Sequence, residues 1–192
     1  MIEFDESRHL YKVNGRVIPS VTQILNHNKQ NFYKDNGADI TGTIVHKLLE
    51  DYDNGKNVDF YGEEYLTYLE QYKAFKEDYE PSWDHIERRV YDEFMEYCGT
   101  VDRAGFFKNK RVVLDIKTGS SVPAWAALQT AAYANALYPN DYPDVFRMVL
   151  HINPKKLKTY KVKVYSDQLD FDRWELSCRN YHKEVKEMED RF

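Results

Sequence analysis

Val112-Val113-Leu114-Asp115-Ile116-Lys117-Thr118-Gly119 is an apolar run interrupted by an acid and, two positions later, by a base. With side chains alternating along a strand, Asp115 and Lys117 share one face while Leu114 and Ile116 take the other. Upstream, Gly99-Thr100-Val101-Asp102 places a second acid thirteen positions before Asp115, in another β-prone run. A carboxylate bracketed by apolar neighbours costs several kcal/mol if ionised and unpaired, or stays protonated. A divalent cation removes that cost. An isolated Asp-x-Lys pair also has a plain alternative, a surface ion pair worth under about 1 kcal/mol. Two features weigh against it here: the bracketing by Leu114 and Ile116, and the small-residue loop after Lys117, which leaves room for a phosphate or a backbone to approach.

The surrounding elements follow from periodicity and punctuation. The opening, Ile2 to Ile18, alternates and turns through Asn14-Gly15, a hairpin signal. Pro19-Ser20 stops it and caps a short helix over Val21–Leu25. Apolar residues recur at helical spacing from about Ala38 to Tyr52, with Ile40, Ile44, Val45, Leu48 and Leu49 on one broad face and Asn54-Gly55 at the end. A second helix is expected over Glu63–Tyr79, with Tyr65, Leu66, Leu69, Tyr72 and Phe75 inward. Strands are expected over His85–Val90, Glu96–Phe106 and Arg111–Ile116, the last two joined at Asn109-Lys110. Pro123 opens an alanine-rich helix to Leu137, closed by Pro139. Val145–Ile152 and Thr159–Tyr165 read as two more strands. Ser166 or Asp167 caps a charged helix running to the carboxyl terminus. The order is mixed α/β with an antiparallel meander in the middle. The expected organisation is one domain, 1–192, with an amino-terminal hairpin over 1–19 and a carboxy-terminal helix over 166–192.

Two further groups bear on chemistry. Gln129 and Tyr133 are four apart on the alanine-rich helix and share a face. The alanines let that helix lie close to the sheet and carry an amide and a phenol toward the acidic strands; a buried polar pair satisfied internally is the alternative. His46 lies in Thr41-Gly42-Thr43-Ile44-Val45-His46 on the apolar helix. It reads either as a packed core histidine or as the neutral imidazole that completes a carboxylate metal site.

In order, Gly-Thr-x-x-His, Gly-Thr-Val-Asp, Asp-Ile-Lys-Thr-Gly and Gln-x-x-x-Tyr resemble the RecB-like branch of the PD-(D/E)XK nucleases. His9-x-Tyr11 and Pro19-Ser20-Val21-Thr22 are similar to the amino-terminal stretch of its phage and prophage exonuclease-like members. The resemblance runs from about His9 to Tyr165. It implies a restriction-endonuclease-like mixed central sheet flanked by helices. It implies Mg²⁺ or Mn²⁺ held by His46, Asp102, Asp115 and the Ile116 carbonyl, with Lys117 catalytic alongside Asp102 and Asp115. Gln129, Tyr133 and Thr118 would bind substrate, and Glu87 would have a supporting role. The implied activity is DNA hydrolysis in recombination, repair or phage DNA processing, with DNA and a recombination or helicase protein as partners. A catalytically silent nucleic-acid-binding module, or a nuclease subunit dependent on a partner, fits the same scaffold. Some relatives hold an iron–sulfur cluster on four cysteines; with Cys98 and Cys178 alone, no cluster is expected.

Composition limits the remaining classes. The formal net charge is −5, so nucleic-acid contact must come from a local patch. Lys155, Lys156, Lys158, Lys161 and Lys163 form the densest basic stretch, readable as a solvated strand edge or as a phosphate contact. No Gly-x-x-x-x-Gly-Lys-Ser/Thr loop marks a motor. No secretory leader or bilayer-length apolar run is present, so a cytoplasmic protein without membrane contact is expected. Trp83, Trp125 and Trp174 are packing candidates, with Trp125 also placed to stack on a base. His9, His27, His85, His151 and His182 show no mutual metal spacing and are expected at the surface or in the hairpin.

Overall fold

A computed structural model describes residues 1–6, 8–27 and 36–190. Two sheets organise them. Strands β1 (Ile2–Asp5), β2 (Leu10–Val13) and β3 (Arg16–Ile18) form an antiparallel sheet. Asn14 and Gly15 turn β2 into β3 with φ of 51° and 80°, the left-handed pair that a two-residue hairpin loop needs. Helix α1 (Val21–His27) follows, closed by a reciprocal cap: the Gln23 N–H donates to Ser20 Oγ, and the Ser20 N–H donates to Gln23 Oε1 at 2.7 Å.

The second sheet has five strands in chain order: β4 (Ser82–Asp92), β5 (Tyr97–Phe107), β6 (Lys110–Lys117), β7 (Phe146–His151) and β8 (Lys161–Tyr165). All pairings are antiparallel except β6 with β7, which a crossover through α4 (Ala126–Leu137) makes parallel. Helices α2 (Asn36–Asp53) and α3 (Glu63–Tyr79) cover one face, while α1, α4 and α5 (Leu169–Glu189) cover the other. The fold class is the mixed α/β sheet flanked by helices, with an amino-terminal hairpin, that the sequence implies.

Strand β6 is buried on both faces. Val112, Leu114 and Ile116 pack with Leu48, Leu49, Tyr72 and Phe75 of α2 and α3, and Val113 packs with α4 and α5. Trp174 and Cys178 of α5 and Ala131, Ala132 and Ala134 of α4 complete the second layer. The alanines allow close approach: a Cβ at Gly99 of β5 would lie 2.7 Å from Cε1 of Tyr133. Buried Arg147 ties β7 to both covering helices, donating to the carbonyls of Ala127 and Asp167 and to Asp170 Oδ2. Cys98 and Cys178 are both free and buried.

Several boundaries differ from the sequence reading. β4 begins at Ser82 and carries an irregularity between Trp83 and His85. The β5–β6 turn falls on Lys108 and Asn109, both at positive φ, one residue earlier than Asn109-Lys110. Helix α4 starts at Ala126 rather than Pro123, because residues 123–125 form a preceding turn. Ile40 is exposed instead of joining the α2 core face. The last helix ends at Glu189, and residues 191–192 lie outside the described residues. His151 is buried, its ring 2.8 Å from the Gly119 carbonyl, because the loop after β6 folds back over it.

Gly105 marks the closest backbone approach. A Cβ there would meet the Ser82 carbonyl oxygen at 2.0 Å and Trp83 Cα at 2.9 Å. Gly105→Ala must push β4 away from β5, and overpacking of this kind costs about 1–3 kcal/mol or more. Denaturant titration should show that loss, and an unchanged midpoint would mean that the two strands separate freely at this point.

Candidate metal and phosphate site

The antiparallel registers bring three acids into one row. Ile86 pairs with Arg103 and Arg88 with Val101, which sets Glu87 opposite Asp102. Arg103 pairs with Leu114, and one step further along that register Asp102 faces Asp115. Asp102 Oδ2 accepts the Ile116 N–H at 2.6 Å, so the acid takes the place of a ladder partner where β5 and β6 diverge. Helix α2 brings the imidazole. Its early turn approaches the loop after β6, where a Cβ at Gly42 would be 3.4 Å from Thr118 Oγ1. One turn later, His46 Nε2 lies 3.2 Å from the Ile116 carbonyl, and Nδ1 lies 3.5 Å from Asp102 Oδ1 and 3.7 Å from Glu87 Oε1.

The tautomer follows from the partners. A ring nitrogen against a carbonyl donates, so Nε2 carries a proton. Nδ1 then faces two carboxylates, and that arrangement requires a proton or a cation between them. Burial opposes an imidazolium, but the charges of Asp102 and Glu87 outweigh it and hold the His46 pKa up at about 9. Burial raises the Asp102 carboxyl, with Glu87 adding to the effect and His46, Lys117 and the Ile116 amide opposing it. Burial also raises Asp115, to about 6, with Lys117 opposing and Asp102 reinforcing.

Asp115 points toward α4. Its Oδ1 accepts from Lys117 Nζ at 3.0 Å; Oδ2 lies 2.9 Å from the same ammonium but is buried without a hydrogen-bond partner among the described residues. Lys117 also donates to Gln129 Oε1 at 2.8 Å, and Gln129 Nε2 donates to the Tyr133 hydroxyl at 2.9 Å. Gln129 and Tyr133 are both buried, and burial, followed by the charges of Asp115 and Asp102, pushes the Tyr133 phenol well above its ordinary value. The Trp125 ring centroid is 5.1 Å from Lys117 Nζ.

The side-chain donors that converge are His46, Glu87 and Asp102, whose ligand atoms all lie within 4.8 Å of one another. The sequence groups Asp115 and the Ile116 carbonyl with His46 and Asp102, and gives Glu87 only a supporting role. In the structure Glu87 joins the cluster, Asp115 turns to Lys117, and the Ile116 carbonyl meets the opposite nitrogen of the imidazole. The set suits a hard divalent ion: carboxylate oxygens and one imidazole, with Nδ1 directed at two acids.

Sequence reasoning passed over the support behind this cluster. Arg103, fully buried, donates to Glu87 Oε1 at 3.2 Å, to the Asp102 carbonyl at 2.6 Å and to Asp53 Oδ2 at 2.7 Å. Asp53, at the end of α2, also accepts from Lys76 and from the Tyr72 hydroxyl. Glu87 sits at φ 48° within β4, a conformation costing a side-chain-bearing residue roughly 1–2 kcal/mol. Arg103 and His46 hold its carboxylate there. The available signal was faint: an arginine next to the first acid of a suspected site.

No protein-family model matches this chain, and no curated protein does. Among solved structures, the chain is similar to a protein from Eubacterium rectale named "Putative exonuclease", with a TM-score of 0.51 and 12% identity over 85% of this chain and 71% of that one. A second structure, SSO0001, overlays with a TM-score of 0.38 and 13% identity over 83% and 82% of the two chains, too low to identify a shared fold. The first likeness shows the fold alone, a mixed sheet flanked by helices. No helix among the described residues is long and apolar enough to cross a membrane.

Metal-free protein should lose stability as pH rises. Asp115 is ionised above pH 3.8 when unfolded but only above about 6 when folded, so stability falls across pH 4–6. The imidazolium of His46 stabilises the fold below pH 6.5, and that contribution is lost as pH climbs through about 9. Thermal midpoints in EDTA should trace both segments, and Asp115→Asn should flatten the lower one. Identical profiles for variant and parent between pH 4 and 6 would show that Asp115 ionises normally.

Proposed function

We propose that this chain is a divalent-metal-dependent deoxyribonuclease of the RecB-like PD-(D/E)XK type, acting as an exonuclease in DNA recombination, repair or phage DNA processing. The observation that carries the reading is the convergence of His46, Glu87 and Asp102 beside the buried Asp115–Lys117 pair. His46, Asp102 and Glu87 would hold Mg²⁺ or Mn²⁺; Asp115 and the Ile116 carbonyl, the other donors the resemblance implies, face Lys117 and Nε2 of His46 instead. When bound, the ion offsets phosphate charge and lowers the pKa of water.

The chain's own groups do the rest. Nδ1 of His46 would give up its proton to serve as a ligand, while the Nε2–H bond to Ile116 keeps the ring oriented. The Lys117 ammonium is fixed by Asp115 and Gln129, and the side chain as a whole retains 19% exposure. From there it donates to a phosphate oxygen and stabilises negative charge developing in the transition state. Gln129 and Tyr133 are too buried to touch a passing strand broadly; they position Lys117 from behind. The small residues Gly119, Ser120 and Ser121, exposed beyond Lys117, leave the approach open.

Purified protein with Mg²⁺ or Mn²⁺ should cleave linear or circular, single- or double-stranded DNA. Absence of turnover on all of these in both metals would sink the reading, and DNA binding that persists in EDTA without turnover would indicate a silent binding module. Asp115→Asn and Lys117→Ala should each lower the rate at least ~10²-fold with the fold intact.

Glu87→Gln separates a ligand from a structural acid. Losing a metal donor or its orienting partner typically costs ~10–100-fold in metal affinity. The Mn²⁺ concentration giving half-maximal cleavage should rise by that factor. Equal Mn²⁺ demand in variant and parent would remove Glu87 from the coordination set.

A further inference from the structure

The segment from Val145 to Ser166 contains no aspartate or glutamate, in a chain of net charge −5. It carries Lys155, Lys156 and Lys158 in the β7–β8 connection and Lys161 and Lys163 on β8. All five are exposed, and none forms an ion pair among the described residues, although Lys47, Lys56, Lys73, Lys76 and Lys117 each meet a carboxylate. β8 is an edge strand, and edge strands use lysines to block pairing with other chains. That accounts for Lys161 and Lys163. It does not call for three more lysines in the turn.

The turn has a fixed place. β6 and β7 are parallel, with Lys117 in register with His151, so the connection leaves the sheet at the end where Lys117 lies. Buried Asn153 then fastens it: Nδ2 donates to the carbonyls of Thr118 and Gly119 at 2.9 Å, and the backbone N–H donates to Gln71 Oε1. Asn153 also caps the turn itself, its Oδ1 accepting the Lys155 N–H and its carbonyl the N–H groups of Lys156 and Leu157. Gln71 Nε2 donates to the Leu157 carbonyl. The lysine turn is thereby locked to the loop that follows Lys117, across the exposed residues 119–121.

We propose that this turn binds the phosphodiester backbone of a nucleic acid, extending the candidate site along Gly119–Ser121 to Lys155, Lys156 and Lys158. The proposal rests on the nuclease reading for its substrate, and it assigns the surface that holds the strand away from the reacting phosphate. Exposed lysines without carboxylate partners offer point charges to backbone phosphates and carry no base specificity. Binding is therefore sequence-independent and steeply salt-dependent.

The test measures anisotropy of a fluorescein-labelled 30-nucleotide single strand and its duplex, in EDTA, from about 50 to 300 mM salt. Comparison is with Lys155→Ala/Lys156→Ala/Lys158→Ala and, separately, Lys161→Ala/Lys163→Ala. The triple variant should bind on the order of tenfold more weakly at 100 mM salt, with a slope of log K against log salt reduced by about 2–3. The double variant should change far less, and unchanged thermal midpoints will report an intact fold. A triple variant with parental affinity and slope overturns the proposal, as does failure of the parent to bind either probe at 50 mM salt. Cleavage in Mn²⁺ is scored independently, so a triple variant that binds normally leaves the nuclease reading standing, and a parent that binds through these lysines without cleaving leaves only the surface.

Discussion

Exclusion of water from two neighbouring carboxylates, with a third at their edge, is the constraint around which this end of the sheet is arranged. Glu87, Asp102 and Asp115 lie in one row across β4, β5 and β6, and two of them are almost completely buried. For Asp102 and Asp115, burial and the charge of a neighbouring acid act in the same direction, against ionisation. Each acid therefore has a compensating neighbour: His46 and Arg103 for Glu87, the Ile116 amide and His46 for Asp102, Lys117 for Asp115. Both Asp115 oxygens lie about 3 Å from the Lys117 ammonium, although Oδ2 has no well-aligned hydrogen-bond donor among the described residues. The imidazole and two acids that converge here are also the groups that could take a divalent cation in place of the His46 proton.

The protein supports this corner from both faces of the sheet. On the α2–α3 side, Arg103 and Asp53 form a fully buried ion pair extended by Lys76, Tyr72 and Trp83. Buried pairs of this kind add little net stability, because desolvation consumes most of the attraction. Their directional bonds instead fix where the Glu87 carboxylate and the Asp102 backbone sit. On the α4 side, the alanines bring Gln129 and Tyr133 within reach of Lys117, which loses conformational freedom as a result. Asn153 couples the loop after β6 to the next connection in the sheet.

Much of this was legible in the sequence wherever a local rule operates. Period two placed Asp115 and Lys117 on one side of β6, period 3.6 placed Gln129 above Tyr133, and Asn14-Gly15 marked its hairpin. Element ends were less legible: Pro123 reads as a helix start, yet the chain makes a turn before Ala126. The role of Glu87 was hidden because it depends on a left-handed residue inside a strand, which no alternation pattern reports. Arg103 and Asp53 are fifty positions apart, and nothing local connects them. The lysine run was visible as composition, but its position beside Lys117 follows only from the parallel register of β6 and β7.

The backbone at Glu87 sets two requirements against each other. Glycine would relieve the left-handed geometry at no steric cost, so selection for heat resistance alone would favour it at this position. Glycine has no carboxylate, and the imidazole and guanidinium that converge there would lose their common anion. Retaining glutamate accepts a less robust scaffold in return for a carboxylate shared by His46 and Arg103. In laboratory evolution under purely thermal pressure, position 87 is where this chain would be expected to give up a charged side chain for backbone ease.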